Sequence, residues 1–126
     1  MNQEVARQAE NLLLTVHEYL SRLIPGIRDF ADRLYGDERN IPWDRFTAVL
    51  EGMEWLFEAH RSLENSGYDA DGYHTATEKF AALESHLAAL SEAFQNKDFT
   101  MMGDLLNYEI CPNLEEIRQL IAPAGA

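Results

Sequence analysis

The chain has 126 residues, 46% of them hydrophobic, which is enough apolar material for one core without disulfides or a metal ion. Its 22 acidic and 10 basic residues give a formal net charge of −12, and the acids are scattered along the chain. Such a surface repels phosphate groups, so nucleic acid and anionic membranes are unfavourable partners and a basic protein is a better one.

Two further features bear on the compartment and the domain limits. The only cysteine, Cys111, has no second thiol to pair with, so a reducing compartment, the cytoplasm, is the expected location. Residues 1–20 show helical spacing rather than the pattern of a signal peptide, and no stretch approaches the roughly 18 to 20 apolar residues of a membrane span. We expect one domain over residues 1–121 and a frayed tail at residues 122–126.

The first predicted helix is long and contains a proline. Its apolar residues recur at steps of three and four: Val5, Ala9, Leu12, Val16, Tyr19, Leu23, Ile27, Phe30 and Leu34. Pro25 removes one helical hydrogen bond and disfavours the helical backbone at Ile24, so the segment is either one kinked helix or two helices end to end. The unbroken register favours the kinked helix.

Two more helices are predicted after a polar loop at residues 36–41. Pro42 fits the first position of the second helix, which should end before a turn at Asn65, Ser66 and Gly67. Its stripe is Phe46, Val49 or Leu50, Met53, Leu56 or Phe57, His60 and Leu63. The third helix should begin near Thr75, with a heptad stripe. That stripe is Phe80, Leu83, Leu87, Leu90 and Phe94.

The fourth predicted helix follows a short connection, with Asp98 as its expected N-cap. Its apolar residues are Phe99, Met102, Leu106, Ile110, Leu114, Ile117 and Ile121. The short connection predicts an antiparallel hairpin, and Pro112 predicts a bend near Asn107 and Tyr108, one turn upstream. The sequence therefore predicts an all-α fold: an antiparallel four-helix bundle, with its first helix kinked at Pro25 and its last helix bent.

The segment at residues 67–78 has part of the pattern of a calcium loop. Asp69, Asp71, Gly72 and Glu78 fall at positions three, five, six and twelve of an EF-hand loop. The first position holds a glycine instead of an aspartate, and the chain has no second loop of this kind. The same letters also fit a helix start in which Thr75 and Glu78 form a capping box. Metal binding at this loop is therefore the alternative hypothesis.

Other patterns for catalysis or metal binding are incomplete. No Glu-x-x-His pair, the motif of a di-iron bundle, occurs in the sequence. His60 lies on a core stripe and is expected to be held by one hydrogen bond. A metal site made of His60 and inward carboxylates is the alternative. Glu51, Glu54 and Glu58 are interpreted as a solvated face. Cys111 is expected to pack in the core. We therefore predict no enzyme activity and no cofactor.

Two helical glycines and one tryptophan indicate where helices or a partner approach. Gly52 and Gly103 each cost about 1 kcal/mol relative to alanine, so each needs a packing reason. Close contact between helices is expected, and a groove for a partner's backbone is the alternative. Trp55 lies beside the main stripe of its helix, where it packs against the first helix or, if exposed, anchors a partner.

Two segments carry a resemblance to known proteins. Residues 50–56 contain Glu-Gly-x-x-Trp, and residues 103–112, preceded by Asp98 and Phe99, contain Asp-Leu-Leu-x-Tyr-Glu-x-x-Pro. In these segments the chain resembles a group of small helical proteins from bacteria, mostly Gram-positive ones. The resemblance implies a helical bundle without an established activity, and it adds no catalytic residues.

The second of these segments contains two residues whose role has two explanations. Tyr108 is expected to be half buried, and Glu109 is expected to meet a cation or hydroxyl on a neighbouring helix. A ligand site at the Pro112 bend is the alternative. Together with Trp55, these two residues are the candidates for contact with a partner.

From these features we predict a non-enzymatic bundle that acts through protein–protein interaction. It would either self-associate or hold a helix of another protein in an apolar groove, as a chaperone does. The alternative is a metal-binding helical protein that uses Asp69, Asp71 and Glu78, or inward carboxylates.

Calcium should leave the melting temperature of the protein unchanged. A ligand that binds only the folded state stabilises it by mass action, by about 2.7 kcal/mol at 100 times its Kd. Thermal melts followed by circular dichroism, with calcium and with a chelator, test this expectation. A melting temperature that rises with calcium would make metal binding the leading hypothesis.

Overall fold

A computed structural model describes residues 3–68 and 73–123. The helices are α1 (Gln3–Arg33), α2 (Trp43–Asn65), α3 (Tyr73–Gln95), α4 (Phe99–Leu105) and α5 (Cys111–Leu120), with a π-helical segment (Leu106–Ile110) and a 3-10 turn (Glu38–Asn40). Because α4, the π-helical segment and α5 follow one another without a gap, they form the fourth helix of the bundle. The described residues contain no strand, and none of their helices is long and apolar enough to cross a membrane.

Side-chain contacts show that α1 and α2 run antiparallel. Tyr19 packs on Gly52, whereas Asp29, further along α1, pairs at 2.7 Å with Arg45, which comes earlier in α2. The order of contacts is therefore reversed between the two helices.

The same reversal joins α3 to the fourth helix. Lys79 pairs with Glu116, and His86, one to two turns later in α3, lies beside Glu109, which comes earlier in the fourth helix. The predicted all-α fold and antiparallel four-helix bundle are confirmed.

Aromatic rings fill the space between α2 and α3. Phe46 lies 5.4 Å from Phe94 between ring centroids, and Phe80 lies 5.8 Å from Phe57 and 4.3 Å from His60. Such large side chains keep two helix backbones apart while still burying apolar surface. α2 is therefore joined to α3 by ring contacts rather than by close backbone approach.

The predicted stripes form the core of the bundle. Its largest fully buried side chains are Leu20, Ile27, Phe30, Met53, Leu56, Leu83, Leu90, Met102, Leu106, Ile110, Leu114 and Ile117. Of the alternatives at two positions of α2, Val49 and Leu56 are buried, while Leu50 is exposed. Phe94 was expected in the core but is 43% exposed, because it lies at one end of the bundle against Trp43.

Two predicted helix boundaries are corrected by the structure, and the favoured alternative at Pro25 is confirmed. Pro42 is the N-cap, and α2 begins one residue later at Trp43. α3 begins at Tyr73, so Thr75 lies inside the helix and the Thr75–Glu78 capping box is wrong. Pro25 lies within α1, which excludes two separate helices.

Other predicted boundaries are confirmed. The Asp98 side chain accepts a hydrogen bond from the Met101 amide at 3.1 Å, as an N-cap does. Gly67, just after α2, has a φ of 77°, the left-handed conformation in which glycine commonly ends a helix. Of the predicted tail at 122–126, Ala122 and Pro123 are exposed and residues 124–126 lie outside the described part.

At the position of the bend predicted near Asn107 and Tyr108, the structure has a π-helical segment. There the Cys111 amide donates to the carbonyl of Leu106, five residues earlier. Pro112 has no amide hydrogen, so the regular bond to the carbonyl of Tyr108 cannot form. A wider turn with one extra residue accommodates this loss.

Tyrosine side chains explain the glycines at positions 52 and 103. A Cβ on Gly52 would collide with the hydroxyl of Tyr19, and one on Gly103 would lie 2.7 Å from Cζ of Tyr35. Close packing is therefore confirmed as their reason, with a tyrosine as the partner in both cases. By contrast, a Cβ on Gly26 would meet no other atom within 4 Å.

Alanine substitution should separate Gly26 from Gly52. Because Gly26→Ala meets no atom, its higher helix propensity should raise the free energy of unfolding by about 0.5–1 kcal/mol. Gly52→Ala must displace Tyr19, so it should be less stable than Gly26→Ala by about 1–3 kcal/mol. Urea unfolding of both variants measures the difference, and equal gains in stability would contradict this assignment.

Candidate protein-binding groove

The predicted calcium ligands fall partly outside the described structure. Asp69 and Asp71 lie in residues 69–72, which are not described, and Glu78 is an exposed residue of α3 whose Oε1 lies 3.5 Å from Nε2 of His74. Within residues 3–68 and 73–123, no group of three or more His, Cys, Asp or Glu side chains is placed to hold a metal ion. Metal binding at the loop stays a prediction.

His60 is a buried histidine with both ring nitrogens in contact. Nδ1 lies 2.7 Å from the hydroxyl of Tyr73, and Nε2 lies 3.1 Å from the carboxylate of Glu64. A neutral ring with its proton on Nε2 satisfies both, since Nε2 then donates to Glu64 and Nδ1 accepts from Tyr73. Burial lowers the pKa of His60, although Glu64 opposes this shift, and burial raises the pKa of Tyr73. The expected core histidine is confirmed, with two polar contacts instead of one.

His60 should make the protein less stable in mild acid. Because its pKa in the folded state is lower than the ordinary value of about 6.5, the unfolded chain binds a proton more readily. The contribution of neutral His60 to the free energy of unfolding is therefore fully present above about pH 6.5. It decreases as the pH falls through that value toward the lower pKa of the folded state.

His60→Asn tests this effect, because the amide can accept from Tyr73 but does not titrate. The loss of unfolding free energy between about pH 7 and pH 5 should be smaller in His60→Asn than in the wild type. His74→Asn, at an exposed histidine, is the control and should keep the wild-type pH dependence. The same pH dependence in both variants would show that His60 does not contribute.

Cys111 is a packing residue, as expected. It is fully buried, with Sγ 4.0 Å from the carbonyl of Ile24, and burial raises its pKa to about 11. Since the thiolate is the reactive form, this thiol is poorly nucleophilic at neutral pH.

The Asp-Leu-Leu-x-Tyr-Glu-x-x-Pro segment connects the fourth helix to the end of α1. The ring of Tyr35 lies on Gly103, and its hydroxyl donates to Asp104 at 2.7 Å. Burial and this hydrogen bond both raise the pKa of Tyr35. Asn107 donates to Asp32 at 3.4 Å. Several residues of the segment therefore have a structural role.

Tyr108 and Glu109 differ in how they fit their predicted roles. Tyr108 is 72% exposed, so its expected half burial is wrong: Leu106 and Ile110 occupy the core, and the π-helical segment leaves Tyr108 between them facing solvent. Glu109 meets a histidine on a neighbouring helix, since its Oε2 lies 3.5 Å from Nε2 of His86. Their part in partner binding stays a prediction.

Trp55 packs against α1 and borders a groove that the sequence did not reveal. Its ring is partly buried against Tyr19, with 5.1 Å between centroids in an edge-to-face arrangement. Two cavities of about 430 and 290 Å³ lie along this side of the bundle, and both are lined by Tyr19, Arg22 and Ala48. Because the two cavities share these lining residues, they adjoin one another, and together they are here named the α1–α2 groove.

The α1–α2 groove is mainly apolar and long enough for a helix. Its remaining lining residues are Thr15, Leu23, Gly26, Asp29, Arg45, Val49, Glu51, Gly52 and Trp55. On α1 the lining extends from Thr15 to Asp29, which at 1.5 Å per residue is roughly 21 Å. Gly26 lies in this lining, where its missing side chain leaves open space.

One row of acidic residues borders the groove. Asp44, Glu51 and Glu58 recur every seven residues on α2, so they lie in one line along the helix. They are exposed, and none of them has an ion pair with another described residue. At the end of the groove, by contrast, Arg45 is neutralised by Asp29.

Comparison with known proteins assigns the chain to a family. Residues 11–120 match the sequence model of a family described as a domain of unknown function, DUF8042. The match covers most of the chain, so the protein belongs to this family. Searches of curated proteins and of solved structures found no match.

Proposed function

We propose that this protein is a non-enzymatic helical bundle of the cytoplasm that binds a partner protein in the α1–α2 groove. The observation that carries the proposal is the pair of adjoining cavities between α1 and α2, whose lining extends over roughly 21 Å of α1, with Trp55 on the wall and open space at Gly26.

The dimensions of the groove suit a helix of the partner. A helix of about 14 residues spans roughly 21 Å, and packed helices approach to about 8–10 Å between axes when small residues lie at the contact. Recognition of an amphipathic helix by an apolar groove is a common mode of protein binding. Aromatic residues such as Trp55 and Tyr19 often supply most of the binding energy in such contacts.

The charge of the chain favours a different protein over a second copy. Two copies, each with a formal charge of −12, repel one another, and the acidic row beside the groove would face the like charges of its mate. Of the two interaction modes that the sequence predicts, partner binding is therefore the better supported.

The side chains that could take part in catalysis have structural roles elsewhere in the fold, which supports a non-enzymatic role. His60 holds Tyr73 and Glu64 in the space between α2 and α3, and Cys111 is enclosed in the core. Neither side chain lines the α1–α2 groove.

Site-specific photo-crosslinking tests the proposed function. Ala48, an exposed residue in the wall of the groove, is replaced by a photoreactive phenylalanine derivative in the full chain, in the cells that produce it. We expect a covalent adduct with one heavier polypeptide, because a bound helix would lie against this position. Mass spectrometry of the adduct identifies the crosslinked peptide.

The matched control carries the same derivative at Ala81, an exposed alanine of α3, which does not border the groove. We expect little adduct from this position. Equal adducts from both positions, or no adduct from position 48, would contradict binding in the groove. An adduct of two copies of this chain would replace partner binding by self-association.

A further inference from the structure

We propose that the partner segment held in the α1–α2 groove is a cationic amphipathic helix whose closest approach to this protein is at Gly26. This inference rests on the proposed function and adds the chemistry of the partner. Three observations support it: the acidic row beside the groove, the apolar lining of the groove and the open space at Gly26.

The acidic row lies directly beside the walls of the groove. Glu51 lines the groove itself, four residues before the wall residue Trp55, and Glu58 follows Trp55 by three residues. Asp44 stands four residues before the wall residue Ala48 in the same way. Since residues three or four apart are neighbours on a helix, each acid is next to the apolar wall.

Negative charge also predominates when both borders are considered. On α1, the exposed residue Glu18 lies three residues after Thr15 and four before Arg22, and Arg22 is the basic residue of the lining that has no ion pair with a described residue. Asp29 and Arg45 cancel one another. Within the lining, Glu51 and Arg22 then balance, so the excess of negative charge comes from the exposed flanking acids Asp44, Glu58 and Glu18. Lysine or arginine along both edges of a bound helix would complement this border.

The apolar lining of the groove selects an apolar face on the same helix. Leu23, Val49 and Ala48 line the cavity of about 290 Å³, and Tyr19 and Trp55 line the adjoining cavity of about 430 Å³. Apolar side chains of a partner would bury these surfaces, while its basic residues remain at the solvated edges.

Gly26 differs from the other helical glycines discussed above in the space over its backbone. Gly52 and Gly103 each receive a tyrosine of this chain, whereas the space over Gly26 is empty. A glycine inside a helix costs about 1 kcal/mol relative to alanine, and packing within the chain does not account for this cost at Gly26. A partner backbone that lies across Gly26 would account for it, because small residues permit close approach of helices.

A panel of three synthetic peptides tests the charge of the partner. Each peptide has about 18 residues, enough to span the groove, and the same leucine and alanine face. The polar face carries lysine in one, glutamine in the second and glutamate in the third. Fluorescence anisotropy with the full chain should give the lysine peptide the lowest Kd, at least about tenfold below the glutamine peptide, and the glutamate peptide the highest.

Two pairs of variants show whether the lysine peptide lies in the groove. Glu51→Lys with Glu58→Lys should raise its Kd at least about tenfold, while Glu84→Lys with Glu92→Lys on α3 changes the net charge equally and should raise it only about twofold. Gly26→Phe should block the groove and raise the Kd strongly, while Ala81→Phe should not. Circular dichroism shows whether each variant is folded. The comparison of the two double lysine variants tests the inference independently of Gly26.

The outcomes distinguish this inference from the proposed function. If the glutamine or glutamate peptide binds tightly and Gly26→Phe abolishes that binding, the proposal of a cationic partner is overturned, while binding in the groove is retained. Equal weakening by the two charge pairs would show non-specific attraction and overturn the inference. Failure of all three peptides to bind would also overturn it, whereas the crosslink from position 48 decides the proposed function separately.

Discussion

The packing of two tyrosines on two helical glycines is the constraint on which the arrangement of α1 depends. Tyr19 occupies the space over Gly52 and fixes α1 against α2, and Tyr35 occupies the space over Gly103 and joins the end of α1 to the fourth helix. A methyl group at either glycine would push the ring away. The first contact also shapes the surface, because Tyr19 held on Gly52 meets Trp55 edge to face and so forms a wall of the α1–α2 groove.

The polar side chains of the interior also hold helices in place. Tyr73, His60 and Glu64 form a chain of contacts that satisfies a buried imidazole between α2 and α3, where large rings separate the helix backbones. Such a network is costly when only partly satisfied, so its members are held in place by one another. These side chains are occupied in the interior, whereas on the outer surface α1 and α2 leave apolar side chains beside one acidic row.

The sequence predicted those features that depend on neighbours in the chain. The apolar stripes, the N-cap at Asp98 and the irregularity near Asn107 follow from local spacing and from Pro112, and all are found. The groove beside Trp55 depends on which helices meet and at what distance, which spacing alone does not determine. The exposure of Tyr108, by contrast, follows from its place two residues from both Leu106 and Ile110 of the predicted stripe. A sequence signal for the groove did exist: Gly26 lies in an unbroken helical register, but beside Pro25 it was interpreted as part of an interruption.

The π-helical segment also sets the angular phase of the fourth helix. Its buried residues Met102, Leu106, Ile110 and Leu114 are spaced by fours, and in a regular α-helix each such step rotates the stripe by about 40° away from the core. Three steps would rotate it by about 120°, whereas one inserted residue returns about 100° of that drift. The segment thus acts as a phase correction, and removal of a single residue there would convert the spacing to alternating fours and threes, the ordinary repeat of a bundle helix. The correction keeps Leu114 and Ile117 of α5 in the same core as Met102 and Leu106, which precede or begin the segment.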